Sequence, residues 1–169
     1  SETVSVNNNL LHVKEMESAL SSLSKKINLI ITMPNADTLG SLYRKQLQKL
    51  QTDNIRAIFL IENFGKKNYF NAMYYSEILI GNTSSGIIEA ASFNKYVINV
   101  GDRQKGRSSG ENVFDVPFNS KDIVNVTSKV LAKKKFDGPN IYFKKNPAQR
   151  IIEVLKNKIY KLEYKTDLN

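Results

Sequence analysis

The chain has no cysteine and no tryptophan, and only one histidine, in 169 residues. Without cysteine there is no disulfide framework, no thiolate zinc site and no thiol nucleophile. A single histidine, His12, rules out a histidine-rich metal centre and narrows the choice of acid–base groups. Long apolar runs are absent as well. The longest, Ala57-Ile58-Phe59-Leu60-Ile61, is far short of the roughly twenty residues of a membrane span. The opening residues Ser1-Glu2 do not begin a basic-then-apolar leader, so no signal peptide is expected and a cytoplasmic location is. What is present is ordinary for one globular domain: 41% hydrophobic and 24% charged residues over a length that fits a single unit, 1–169.

The net charge of +9 is uneven. From Lys121 onward, 12 basic residues stand against 5 acidic ones, whereas residues 1–120 carry 13 against 11. A basic chain invites a nucleic-acid reading. The excess is mostly lysine, with no repeated aromatic–basic pattern and no nucleic-acid motif, so a lysine-coated surface is preferred and nucleic acid is not an expected partner.

Apolar runs alternate with helical patterns. Helices are predicted over Asn8–Ser24, Leu39–Gln51, Asn68–Ser76, Ser84–Phe93 and Ser120–Lys133, the last with Ser120 as N-cap, and a final helix follows Asn146-Pro147. Strands are predicted over Ile27–Met33, Ile55–Ile61, Ile78–Ile80, Tyr96–Val100 and Val113–Val116. The strands are continuous apolar runs separated by helices. That pattern predicts an α/β, Rossmann-like parallel sheet covered by helices on both faces, with ligands at the carboxyl ends of the strands.

Three polar loops fall at that edge. Gly81-Asn82-Thr83-Ser84-Ser85-Gly86 enters a helix, where free N–H groups and the helix dipole favour phosphate, although a serine-capped helix fits equally well. Gly86 would let a ligand approach the backbone. Glu89 lies one helical turn beyond Ser85 and suits two ribose hydroxyls, or else a solvated carboxylate. Gly101-Asp102-Arg103-Gln104-Lys105-Gly106-Arg107 follows the next strand and offers arginines to an anion, or else is a charged surface turn. Asn35-Ala36-Asp37 follows the first strand. His12, between Leu11 and Val13 with no carboxylate or second histidine nearby, is read as a packing or surface residue.

Taken together, Pro34-Asn35-Ala36-Asp37, Gly81 to Ala90, and Asn99 to Arg107 resemble the carboxyl-terminal half of the UDP-N-acetylglucosamine 2-epimerase family. The likeness is closest to the hydrolysing branch that feeds sialic- and legionaminic-acid synthesis in bacteria. It runs from about Val4 to Val116 and more weakly beyond. The resemblance implies one half of a two-domain glycosyltransferase-B-type fold, with UDP between two Rossmann-like halves. It implies that the amino-terminal half is absent, together with the first strand of this half. It further implies that Ser84, Ser85 and Gly86 hold the diphosphate, Glu89 the ribose and Arg103 the diphosphate or sugar. Asn35 and Asp37 would line the sugar side, the Phe64-Gly65 loop would face the uracil, and Tyr69 would pack near it. Most proton-transfer groups would lie in the absent half, so no catalytic residue is assigned in this chain, and no metal or cofactor is expected. The UDP-sugar and the absent domain are the expected partners, with homo-oligomerisation left open. Two alternatives remain: the UDP-sugar-binding half of a glycosyltransferase, and a non-catalytic basic module for nucleic acid or an acidic surface.

Overall fold

The computed structural model describes residues 6–34 and 40–163. In chain order these are helix α1 (Val6–Ser24), strand β1 (Leu29–Thr32), helix α2 (Gly40–Asp53), β2 (Ile58–Ile61), α3 (Gly65–Tyr75), β3 (Ile78–Gly81), α4 (Ser84–Ile88), a 3-10 turn (Ala90–Phe93), β4 (Tyr96–Val100), β5 (Val113–Val116), α5 (Ser120–Leu131) and α6 (Pro147–Glu163). The alternation read from the sequence is present, and every strand pairing is parallel.

Two strands are shorter than the apolar runs that mark them. The amides of Lys26 and Ile27 both donate to the Leu23 carbonyl, so the end of α1 takes up the first residues of the Ile27 run. The amides of Ala57 and Ile58 donate to the Asn54 carbonyl and turn the chain before β2, leaving Ile55 in solvent. At α5 the cap is Asn119, not Ser120. Its side-chain oxygen accepts from the Asp122 amide at 3.1 Å. Ser120 is the first helical residue, and its own amide donates to Glu15 of α1 at 2.6 Å. The predicted Ser84–Phe93 helix is divided at Glu89 into α4 and the 3-10 turn, and Asn94 ends the turn in the left-handed region at φ 58°.

The strands form two parallel sheets, not one: β1–β2 and β3–β4–β5. Helix α1 spans both. Its Ala19 packs with Ile98, Val100, Val116, Ile123 and Val130 over the three-stranded sheet. Its Leu20 and Leu23 pack with Leu29, Leu50 and Ile58 over the two-stranded one. Met16, Ile80 and Val124 touch both clusters. The opposite face of β3–β4 carries a third cluster, in which Met73 of α3 meets Ala90 and Val97. Helices therefore cover both faces of the three-stranded sheet, as expected. Burial is uneven across it. Val97, Ile98, Asn99 and Val100 of β4 are all buried, whereas Ile78, Leu79, Ile80 and Gly81 of neighbouring β3 are each only half-buried. A strand in the middle of a parallel sheet is enclosed on both faces and both edges. Among the described residues β3 has β4 on one edge and no strand on the other.

The bond from the Ser120 amide to Glu15 joins α1 to the first turn of α5, where a carboxylate also complements the helix dipole. That bond holds the Glu15 carboxyl below its ordinary pKa. A carboxyl depressed in the folded state stabilises the fold above its unfolded pKa of about 4.3 and loses that contribution as pH falls through the lower, folded value. Glu15→Gln therefore melts earlier than the parent near neutral pH, and the gap between them closes on acidification. Thermal melts of both proteins across the acid range measure this, and a gap that is constant with pH rejects it.

Candidate functional site

The site is built on β3 and β4, whose carboxyl ends lie side by side because the strands are parallel and in register, Gly81 opposite Asn99. β3 runs out into Gly81-Asn82-Thr83 and then α4. Thr83 caps α4, accepting from the Ser85 amide at 3.4 Å. Thr83 thus supplies the capping hydroxyl, and Ser84 and Ser85 form the first turn. The Glu89 amide donates to the Ser85 carbonyl at 2.9 Å, so the helical turn expected between these two residues exists, with Glu89 closing it. The Glu89 side chain is half-buried, and its Oε2 is enclosed without a hydrogen-bond partner among the described residues.

Gly86 has a packing role that the sequence did not show. It is buried, and a Cβ built on it would lie 2.9 Å from Cγ1 of Val97. The missing side chain lets α4 lie close on β4, so Gly86 serves helix–sheet packing. Its amide lies 3.2 Å from the Thr83 carbonyl within the turn.

β4 runs out into Gly101–Arg107. Gly101 has φ 78° and passes Phe118 so closely that a Cβ would come within 2.3 Å of that ring. His12 stacks on the other partner of this contact, with its ring 4.1 Å from that of Phe118, which is the packing role read for it. Arg103, Lys105 and Arg107 are exposed. Between them Gln104 is 6% exposed and donates from Nε2 to the Asn82 carbonyl at 2.7 Å. The sequence reading gave Gln104 no role. It is the side chain that ties the arginine loop to the turn entering α4, and its one visible signal is a neutral residue inside a charged run. Beneath the loop, Asn99 of β4 donates to Asp115 of β5 at 2.7 Å.

The remaining candidates belong to the carboxyl edge of β1–β2 or fall outside the described residues. Asn35 and Asp37 are among the latter. Pro34, just before them, is held through its carbonyl by Arg44 of α2 at 2.9 Å. The same guanidinium makes two bonds to Glu62, at 2.8 and 2.6 Å, and so joins the exits of β1 and β2. Arg44 holds the Glu62 carboxyl below the ordinary carboxylate range. Phe64 follows directly and precedes α3, in a turn set by Asn63, whose side-chain oxygen accepts from the Gly65 amide at 2.7 Å. Tyr69 packs against the Met73–Ala90–Val97 cluster, a core position on α3. The structure thus joins Thr83–Glu89 to Gly101–Arg107 directly, and joins the β1 exit to the β2 exit through Arg44. Among the described residues, no group of three or more histidine, aspartate or glutamate side chains is arranged to hold a metal. No helix there is long and apolar enough to cross a membrane.

Loops at the carboxyl edge of a parallel sheet, one entering a helix and the next arginine-bearing, mark an α/β domain with a polar edge where sheets of this kind take their ligands. The sequence profile of the UDP-N-acetylglucosamine 2-epimerase family matches residues 3–156, and the chain belongs to that family. It is 34% identical over 136 residues to a UDP-N,N'-diacetylbacillosamine 2-epimerase (hydrolyzing) of Legionella pneumophila, covering 80% of this chain and 35% of that protein. It is 38% identical over 120 residues to a GDP/UDP-N,N'-diacetylbacillosamine 2-epimerase (hydrolyzing) of Campylobacter jejuni, covering 71% and 31%. The polysialic acid biosynthesis protein P7 of Escherichia coli is 33% identical over 161 residues, covering 92% and 40%. The chain therefore spans about a third of the length of the curated relatives it matches.

Since Gly86 serves packing, Gly86→Ala overfills the contact with Val97. The expected loss of stability is about 1–3 kcal/mol, read as a lower denaturant midpoint with an unchanged slope. An unchanged midpoint would show that α4 can lift from β4 without cost.

Proposed function

We propose that this chain is the UDP-binding half of a hydrolysing UDP-sugar 2-epimerase. Ser84, Ser85 and Gly86, at the start of α4, and the Arg103 side chain hold the diphosphate, and Glu89 accepts the ribose hydroxyls. Asn35 and Asp37 line the sugar side, and the Phe64 loop faces the uracil with Tyr69 packed behind it. The observation that carries this reading is the Oε2 of Glu89, enclosed beside the Thr83–Gly86 turn and without a partner among the described residues. A buried carboxylate oxygen without a donor is costly, and a ribose hydroxyl supplies the donor. The exposed Arg103, tied to the same turn through Gln104, adds charge for the phosphates.

The reaction belonging to this reading removes the proton at sugar C2 as the bond from C1 to the UDP oxygen breaks, leaving UDP and a glycal. Water then adds, with its hydroxyl at C1 and a proton at C2 on the opposite face, and a free 2-epimerised amino sugar leaves. Most of the groups that move these protons belong to a second domain outside the 169 residues, which supplies the other wall of the cleft. The same reading makes β1–β2 and β3–β4–β5 parts of one sheet. A parallel strand from outside these residues lies between β1 and β3, which accounts for the half-burial of β3. The greater length of the relatives supports both statements. Their names, in diacetylbacillosamine epimerisation and polysialic acid synthesis, and their bacterial sources support a bacterial enzyme whose product feeds nonulosonic acid synthesis.

Two measurements test the reading. The full-length protein releases UDP from a UDP-2-acetamido sugar, whereas the 169-residue chain alone releases none and binds UDP weakly, by about 4–6 kcal/mol. Enzyme-like release by the 169 residues would place the whole active site within them. In the full-length protein, Glu89→Ala weakens UDP binding by about tenfold or more, as expected for bonds to a charged group, and Glu89→Gln falls between it and the parent. Unchanged affinity in a folded Glu89→Ala protein rejects the ribose contact.

A further inference from the structure

Between α5 and α6 the chain returns across α4 and the 3-10 turn. The Asn94 side chain donates to the Phe136 carbonyl at 2.9 Å. Phe136 is buried, with its ring edge-on to Tyr96 at 5.6 Å. Four residues on, Asn140 donates from Nδ2 to the Ile88 carbonyl at 2.9 Å and to the Ser92 hydroxyl at 2.7 Å. Its Oδ1 accepts from the Tyr142 amide at 2.8 Å. The Tyr142 hydroxyl then donates to the Ser108 carbonyl, just past the arginine loop, at 2.7 Å.

The position of Asn140 matters because of the helix break at Glu89. In a continuous α-helix the Ile88 carbonyl accepts from the amide of Ser92. Here that amide donates at 2.9 Å to the Glu89 carbonyl, in 3-10 fashion. The Ile88 carbonyl thereby loses its helical donor, and the Asn140 amide replaces it. The same amide group holds Ser92, so one side chain bridges the residues before and after Glu89. We propose that Asn140 is a positioning residue for Glu89. It holds the change from α-helix to 3-10 turn that sets the Glu89 backbone at φ −104° and ψ −31° and aims its carboxylate. Tyr142, on the same strap, fixes the arginine loop relative to that carboxylate. This inference rests on the ribose role of Glu89 proposed above.

UDP affinity of the full-length protein, measured by calorimetry in a double-mutant cycle, tests it. Asn140→Ala is expected to weaken UDP binding roughly three- to tenfold, the equivalent of one or two hydrogen bonds, and to have no further effect in a Glu89→Ala background. If Asn140→Ala does not fold, Ser92→Ala replaces it in the cycle, since it removes only the 2.7 Å bond and is expected to act in the same direction. A loss of melting temperature with UDP affinity unchanged overturns the proposal, because it assigns Asn140 to stability alone. An equal loss of affinity in both backgrounds overturns it too, because the effect then does not pass through Glu89. If Glu89→Ala weakens binding while Asn140→Ala does not, only the positioning role fails. If Glu89→Ala itself leaves affinity unchanged, the ribose reading fails and takes this role with it.

Discussion

Helix α4 lies against β4 at a separation that only glycine allows. A Cβ at Gly86 would stand 2.9 Å from Val97. Much of the site follows from this contact. β4 is buried along four of its five residues, with α1 and α5 on one face and α4 with α3 on the other. Because β4 cannot move, its exit loop, Gly101–Arg107, leaves from a fixed point. Because α4 is pressed onto the same strand, the Ser85–Glu89 turn is fixed to that point as well. Gln104 then has only a short gap to bridge when it reaches the Asn82 carbonyl.

The second constraint is the helix break at Glu89. In a straight helix from Ser84 to Phe93 the Ile88 carbonyl would accept from the Ser92 amide. The observed break releases the Ile88 carbonyl and requires a donor, which the chain provides from a segment 52 residues downstream. Local regularity is given up at the residue whose carboxylate oxygen is enclosed without a partner among the described residues. Irregularity of this kind is tolerated where a side chain has to be aimed, and it is held by tertiary contacts because local propensity does not favour it.

Helix α1 gives the two sheets a common roof. Ala19 and Leu20 are neighbours in sequence, yet they pack into different clusters, one over β3–β4–β5 and the other over β1–β2. The same helix anchors α5 through Glu15 and supports the Gly101 turn indirectly, through the stacking of His12 on Phe118. The lone histidine thus contributes to the site's frame without belonging to its chemistry. Opposite this roofed face, Ile30 and Phe59, paired in register on β1 and β2, are 61% and 46% exposed. The helical cover of the two-stranded sheet is therefore one-sided at these positions.

The sequence by itself determined the α/β alternation, because continuous apolar runs bounded by Gly, Pro and polar residues mark buried parallel strands wherever they occur. It also determined that the Gly81 and Gly101 loops leave side by side, since neighbouring strands of a parallel sheet exit in the same direction. Its motifs were distinctive enough to resemble the family to which the chain belongs. Element ends were less legible. Ile27 and Ile55 are apolar but lie outside the strands, because carbonyls at Leu23 and Asn54 capture the nearby amides, and hydropathy carries no record of such turns. Ser120 and Asn119 are both good caps, and only the approach of Glu15 from α1 decided between them. The role of Gly86, the bridge made by Gln104 and the reach of Asn140 to Ile88 were decided by tertiary structure alone. Each depends on which strand or strap lies opposite in space, and residues 22 or 52 positions apart leave no periodic signal of their contact.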